Sequence, residues 1–577
     1  MSGLDWAMIL GYFGLLAAVV FFTHRKQETG QDFFLGGRSV GWLAIGASIF
    51  AANIGSEHLI GLAGSGAVNG LSQSHWEFHA WVLVLMSWVF LPFYYTSGVS
   101  TMPEFLERRF GSRARWILSL VSLAAYVLTK ISVTVYAGAL FFEVMMPEVS
   151  LTIGGTTITS FWIGAIATVT FAGIYSSFGG LTAVVYTDLV QTFIILAGTL
   201  SVTGFALHYL GHSGVALPDG STAQSVADGW QVLKATIKAT GNVEQFGLWH
   251  SLSHKVFPWL GVVVASVTIG VWYWCTDQFI IQRTLSAKNL TNARRGAIWG
   301  GFLKLTPVFL FLVPGMLGFA LHHNHISING TPFAIPLKAS GALNGDAVFP
   351  TLVQALLPVG FRGLVVAGMI AALMSSLASL FNSVSTLFTV DVYAKLKPET
   401  SPKQLVRIGR ITTISMTVLG IIWVPIMKAI AGGGLYQYIQ AVQSFLAPPI
   451  VAVFVMGLVW KRMNLRGATW GLSLGFILGM MKLAVNAIWG GEDGFALIQD
   501  FYFSGLLLAV SIAIVVIASL SAPPPDPAHL NGLNFACLDK DYRRENRASW
   551  NWVDVVGSIV VVGLVICAYA YFWTWLK

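Results

Sequence analysis

Windows of about 20 apolar residues, each long enough for a helix to cross a hydrocarbon core of about 30 Å, recur about fourteen times along this chain. In lipid every backbone N–H and C=O must find its partner within protein, so such a chain can fold only as a bundle of membrane helices or a closed barrel, and windows of this length specify helices. Their approximate limits are 5–23, 40–66, 77–97, 116–145, 160–177, 182–208, 257–283, 296–321, 349–392, 405–427, 435–460, 467–489, 499–521 and 553–576. Composition agrees, since 55% of the 577 residues are hydrophobic and 10% are charged, against about a quarter charged in soluble domains. Between the spans lie two polar insertions, at about 209–256 and 322–347, and a Pro-rich charged connector at about 522–552.

Basic residues fall in alternate loops: Arg25, Lys26 and Arg38; Arg108, Arg109, Arg113 and Arg115; Arg283, Lys288, Arg294 and Arg295; Lys395, Lys397, Lys403, Arg407 and Arg410; Lys461, Arg462 and Arg466; Lys540, Arg543, Arg544 and Arg547. The positive-inside rule makes these loops cytoplasmic, and an even number of spans then places both termini outside. The net charge of +8 is therefore a topology signal, and no nucleic-acid partner is expected. The first residues carry no basic n-region and no small-residue cleavage site, so the first span is expected to be retained. Cys275, Cys537 and Cys567 have neither metal-type nor disulfide-type spacing. The basic clusters at 395–410 and 540–547 read as plain cytoplasmic loops. Short outer loops without cysteine suit a plasma membrane or a bacterial inner membrane.

Polar residues inside the apolar windows are costly and point to a site. Residues 51–58, which hold Asn53, Gly55, Ser56, Glu57 and His58, break a span with glycine and polar groups. A broken membrane helix frees carbonyls that can bind a cation; a simple kink is the alternative. Residues 371–379 set Ser375 and Ser376 among small residues, which suits a sodium ion and equally suits close helix packing. Residues 272–278 group Trp272, Tyr273 and Trp274 with Thr276, Asp277 and Gln278. A sugar packs its C–H face on a ring and needs donors and acceptors for its hydroxyls; an interfacial aromatic belt is the plainer reading. Glu77, Lys130, Asp188, Lys304, Gln440 and Lys482 also fall within or at the ends of spans.

Together these runs resemble the sodium/glucose cotransporter family of sodium:solute symporters. The likeness runs through residues 46–55, 61–64, 101–104, 186–188, 272–278, 282–283, 285–288, 303–305, 375–376, 438–440, 448–449 and 460–462, and the 272–278 string with 285–289 is that of the sugar-transporting branch. The resemblance implies an all-α, LeuT-like fold of two inverted five-helix repeats with one leading and three trailing helices. The divisions are then 1–39 for the leading helix and a cytoplasmic loop, 40–208 for the first repeat, 209–256 for an extracellular loop, 257–460 for the second repeat and 461–577 for the trailing helices and cytoplasmic connector.

By the same resemblance Asn53, His58, Glu77, Tyr273, Trp274, Lys304 and Gln440 contact a sugar, with Trp76 and Tyr436 as an outer gate and Tyr273 as the ring blocking inward exit. Sodium is expected at the carbonyls of Ala51, Ile54 and Ala372 with the hydroxyls of Ser375 and Ser376, and Asp188 near the sodium path. Ala52, Ala372 and Ala378 stand where members that couple two sodium ions carry hydroxyls, so one sodium per sugar is expected. Glu57 and Gly270 depart from the family pattern. The function implied is import of a hexose of the glucose or galactose type by alternating access. Symport of another polyol such as myo-inositol, or a sodium-linked sugar sensor or leak channel, remains open. No His-Glu-x-x-His or activated nucleophile is found, so an enzyme is not expected. A monomer suffices to enclose such a site.

Overall fold

The apolar windows become helices because each helix bonds its own backbone. The computed structural model describes residues 2–577 apart from 24–33, 56, 154, 339, 431–434 and 490–497. Among the described residues, twelve helical runs are long and apolar enough to cross a membrane, and the shorter apolar helices Trp42–Asn53 and Ser160–Gly173 accompany them. One run, Glu57–Ser97, contains both the second half of the span expected at 40–66 and the whole of the span expected at 77–97.

The break expected at Gly55 is present. Helix Trp42–Asn53 ends at Ile54 (φ −78°, ψ 93°), and the chain resumes in a wide π-helical turn, Glu57–Leu62, followed by Ala63–Asn69. The span expected as continuous over 257–283 is also broken. Trp259–Gly270 passes into a π-helical turn, Val271–Thr276, the backbone extends at Asp277, and the Asp277 carboxylate accepts the N–H of Phe279 as the cap of Gln278–Leu285. An aspartate is among the best helix N-caps, so a single residue starts a new helix inside an apolar window. Likewise the span expected at 349–392 divides into Val348–Leu356 and Phe361–Thr386, with Gly360 between them at φ 89°. Gly180, at φ 58° within Ser160–Gly211, makes the division expected between 177 and 182.

Small residues set the helix spacing. Trp42–Asn53 packs on Leu290–Lys304 so closely that a Cβ on Gly46 would lie 2.6 Å from the Gly296 carbonyl oxygen, the kind of approach that only small residues allow.

The two insertions share one face of the bundle. Helix Asp228–Ala239 belongs to the first insertion, and Asn324 Nδ2, from the second, donates to Thr236 Oγ1 at 2.8 Å. The last helix, Trp552–Thr574, ends against the first insertion, with the Trp249 and Trp573 rings 5.8 Å apart and Lys238 Nζ donating to the Lys577 carbonyl at 3.2 Å. The leading helix, Gly3–Thr23, is pinned at Asp5, which accepts from the N–H of Gly360 and of Gly363 at 2.8 and 3.0 Å and pairs with Arg362 at 3.0 Å. On the opposite, basic face Arg115 pairs with Asp391 at 2.5 Å and Lys395 with Glu107 at 3.0 Å.

Candidate substrate and cation site

Lys304 ends its helix inside the bundle, 3% exposed, because it meets a carboxylate there. Its Nζ donates to Glu77 Oε2 at 2.6 Å and to Asn53 Oδ1 at 2.8 Å, and Asn53 Nδ2 donates to the Tyr273 hydroxyl at 3.2 Å. Tyr436 donates its hydroxyl to Glu77 Oε1, and His58 Nε2 stands 3.4 Å from that same oxygen. Glu77 reaches inward because helix Ser74–Glu77 stops at Phe78 and the next helix begins at Ala80. The pairing is what permits the burial, since an uncompensated carboxylate at this depth would be strongly unfavourable.

All seven residues expected to contact substrate, Asn53, His58, Glu77, Tyr273, Trp274, Lys304 and Gln440, line one cavity, together with Trp76 and Tyr436. Trp76 Nε1, Trp274 Nε1 and Gln440 Oε1 are buried without a hydrogen-bond partner among the described residues. Such atoms carry a desolvation cost until a polar ligand meets them. The Tyr273 and Trp274 rings stand edge to face at 4.9 Å, and Lys304 Nζ lies 5.5 Å from the Trp274 ring. Rings beside unpartnered donors and acceptors suit a ligand with an apolar face and hydroxyl edges.

The nine side chains named above are nearly buried, none of them more than 9% exposed. Towards the insertion face, Trp76 packs on Phe501 at 5.2 Å, and the first insertion roofs helix Ser74–Glu77, with His75 Nε2 3.0 Å from the Leu248 carbonyl. Towards the basic face, Tyr273 is the floor. Lys130 Nζ lies 4.4 Å from the Tyr273 ring and is ion-paired with Asp277, which also accepts the Tyr126 hydroxyl. A second cavity beneath, bordered by Ala52, Lys130 and Ser376, shares Glu57 and Tyr273 with the first.

The expected cation ligands gather at the first helix break. Gly55 N–H turns to the Asn53 carbonyl at 3.0 Å, so the Ala51 carbonyl loses the donor a continuing helix would give it. Ser376 Oγ lies 3.4 Å from the carbonyl oxygens of both Ala52 and Ile54. Ala372 sits one turn before Ser376 on Phe361–Thr386. Ser375 is at the same level, but its hydroxyl donates to Asp188, whose other oxygen accepts Ser48 Oγ at 2.5 Å, and Arg283 Nε donates to that serine at 3.1 Å. A donor set made only of oxygen fits a hard cation such as sodium.

Three features escape the sequence. His79 lines the cavity with its Nε2 2.9 Å from Ser266 Oγ, and a Cβ on Gly270 would lie 3.1 Å from that nitrogen. The one signal for it was the glycine at 270. The Ala52 carbonyl, beside that of Ile54 at the break, faces Ser376 Oγ as well. The Lys130–Asp277 pair closes the floor, although each residue drew notice only separately.

The sodium:solute symporter family matches residues 33–475. Sodium/glucose cotransporter 4 of Danio rerio is 37% identical over 92% of this chain and 80% of its own length. Sodium/glucose cotransporter 1 of Oryctolagus cuniculus is 38% identical over 94% and 82%, and sodium/myo-inositol cotransporter 2 of the same species 35% over 92% and 78%. Among solved structures, a substrate-bound, outward-open sodium-coupled sialic acid symporter superposes with a TM-score of 0.70, covering 91% of this chain and 99% of its own at 20% identity. The fold is the expected LeuT-like bundle of membrane helices.

Proposed function

The chain belongs to the sodium:solute symporter family, and from that premise we propose that it imports a hexose of the glucose or galactose type with one sodium ion per sugar. It is a multi-pass membrane protein that couples sugar transport to sodium. The observation that carries the hexose reading is the buried chain Glu77–Lys304–Asn53–Tyr273, beside two aromatic rings and donors and acceptors that have no partner among the described residues.

In this reading Glu77 and Gln440 accept from sugar hydroxyls, Lys304 and Trp274 donate, and Asn53 and His58 do either. Tyr273 stacks on the ring and bars the inward path, while Trp76 and Tyr436 bar the outward one. Sodium takes the carbonyls of Ala51, Ile54 and Ala372 with the hydroxyls of Ser375 and Ser376. The break that offers Ile54 to the cation also sets Asn53 in the sugar cavity, so an ion bound there orders the sugar site and favours the outward-open arrangement. One charge crossing is worth about 2.3 kcal/mol per 100 mV, to which the sodium gradient adds. A single sodium is supported by Ala52 and Ala378, which offer no hydroxyl, and by Asp188, held by Ser48 and Ser375.

The two inverted repeats, 40–208 and 257–460, each open on a helix interrupted inside the bundle, at Ile54 and at Asp277. Basic loops opposite the insertions support termini facing outward. One chain supplies the residues that line the cavity, which suits a working monomer, and no catalytic step is part of the reading.

The test is uptake of labelled glucose and galactose into proteoliposomes under an inward sodium gradient, with a potassium control and unlabelled hexoses and myo-inositol as competitors. Sodium-dependent accumulation blocked by hexoses is expected. Accumulation displaced by myo-inositol alone would favour the second reading, a polyol symporter, which the 35% identical myo-inositol relative supports.

A further inference from the structure

His58 lies between two carboxylates. Its Nε2 is 3.4 Å from Glu77 Oε1, its Nδ1 is 3.6 Å from Glu57 Oε1, and neither nitrogen has another polar partner among the described residues. A neutral imidazole carries one N–H and one lone pair, so it would aim a lone pair at one carboxylate. An imidazolium offers an N–H to each. The ring is 3% exposed, so little water screens the difference.

The other groups around the ring leave this balance in place. Lys304 is spent on Glu77, and Tyr436, 5.9 Å away centre to centre, gives its hydroxyl to Glu77 as well. Phe311 presents an apolar ring at 6.1 Å. Asp346, from the turn near the same helix, interacts with Tyr136 and Lys338. Glu57 makes no ion pair with a lysine or arginine within 4 Å among the described residues: Lys130, across the lower cavity, is paired with Asp277, and it and Lys304 meet the Glu57 charge only at longer range. Its carboxylate folds back over Gly55, where a Cβ would fall 2.2 Å from Oε2, so the glycine of the helix break also makes room for this side chain.

We propose that Glu57 is a positioning residue that holds a proton on His58, so that the sugar enters a cavity whose four ionic groups, Glu57, His58, Glu77 and Lys304, sum to zero charge. Loss of that proton leaves one negative charge buried in a place of low dielectric and weakens the binding of a neutral sugar. The link to sugar rests on the hexose reading above; the proton itself does not.

Two measurements test it. The first is the KM for sodium-dependent hexose uptake at saturating sodium from pH 5.5 to 9. In the unaltered protein KM is expected to rise at least threefold on the alkaline side, and in Glu57→Gln the same rise should start at least one pH unit lower, since one of the two carboxylates favouring the charged ring is gone. A flat profile, or superimposable profiles for the two proteins, would overturn the proposal. The second reads the proton without sugar, by nitrogen NMR of histidine-labelled protein in liposomes at pH 7, with His58→Gln to identify the signal. A doubly protonated His58 that Glu57→Gln diminishes supports the proposal even in a preparation that takes up no hexose, in which case the hexose reading alone fails. A neutral His58, or one unaffected by Glu57→Gln, refutes it.

Discussion

With Lys304 replaced by alanine, the Glu77 carboxylate would keep only the Tyr436 hydroxyl and His58 to balance it. Removing one partner of a buried ion pair costs about 3–5 kcal/mol, so Lys304→Ala is expected to abolish sugar uptake in vesicles that still contain the inserted protein; a normal KM would take Lys304 out of the site. Gln440→Ala removes an Oε1 acceptor that has no partner among the described residues, and one hydrogen bond of about 1–1.5 kcal/mol corresponds to a KM raised about tenfold. Ser376→Ala takes away the hydroxyl beside the carbonyls of Ala52 and Ile54. The sodium concentration for half-maximal uptake should rise several-fold, and an unaltered sodium response would place the cation elsewhere. The seven residues that line the cavity were legible as candidates because each is polar or aromatic within or beside a window that membrane burial should have kept apolar, and the family resemblance supplied the roles expected of them. His79 was not, because only the turn at Phe78 decides that the second of two neighbouring histidines faces the cavity. The Lys130–Asp277 pair was not, because its members lie 147 residues apart.

Helices record the same difference. Asn53, Gly55 and Glu57 cluster at the first break, so polarity and glycine announce it together. The second rests on Asp277 alone, and an average over 20 residues dilutes one cap below notice. Close packing is equally silent in a hydropathy average. Gly315, on Val313–His323, approaches Ala63 so closely that a Cβ would lie 1.9 Å from its carbonyl oxygen. Overpacking of this kind costs about 1–3 kcal/mol, and here it meets backbone, which cannot rotate aside. Gly315→Val is therefore expected to lower the temperature at which the detergent-solubilised protein stops eluting as a single species; an unchanged midpoint would mean that the two helices separate freely.

For the whole molecule the stoichiometry can be read electrically. With one charge moved per neutral sugar, a tenfold change in the sugar gradient should shift the reversal potential by about 59 mV, whereas two charges would give about 30 mV. The smaller value would overturn the single-sodium reading. The gating proposed for Trp76 and Tyr273 has a further consequence for a cell. A compartment never open to both sides works as a turnstile, passing one load per rearrangement, and collective motions of this kind take microseconds to milliseconds or longer. Traffic then levels off however rich the medium becomes, and the membrane gains capacity only by holding more copies.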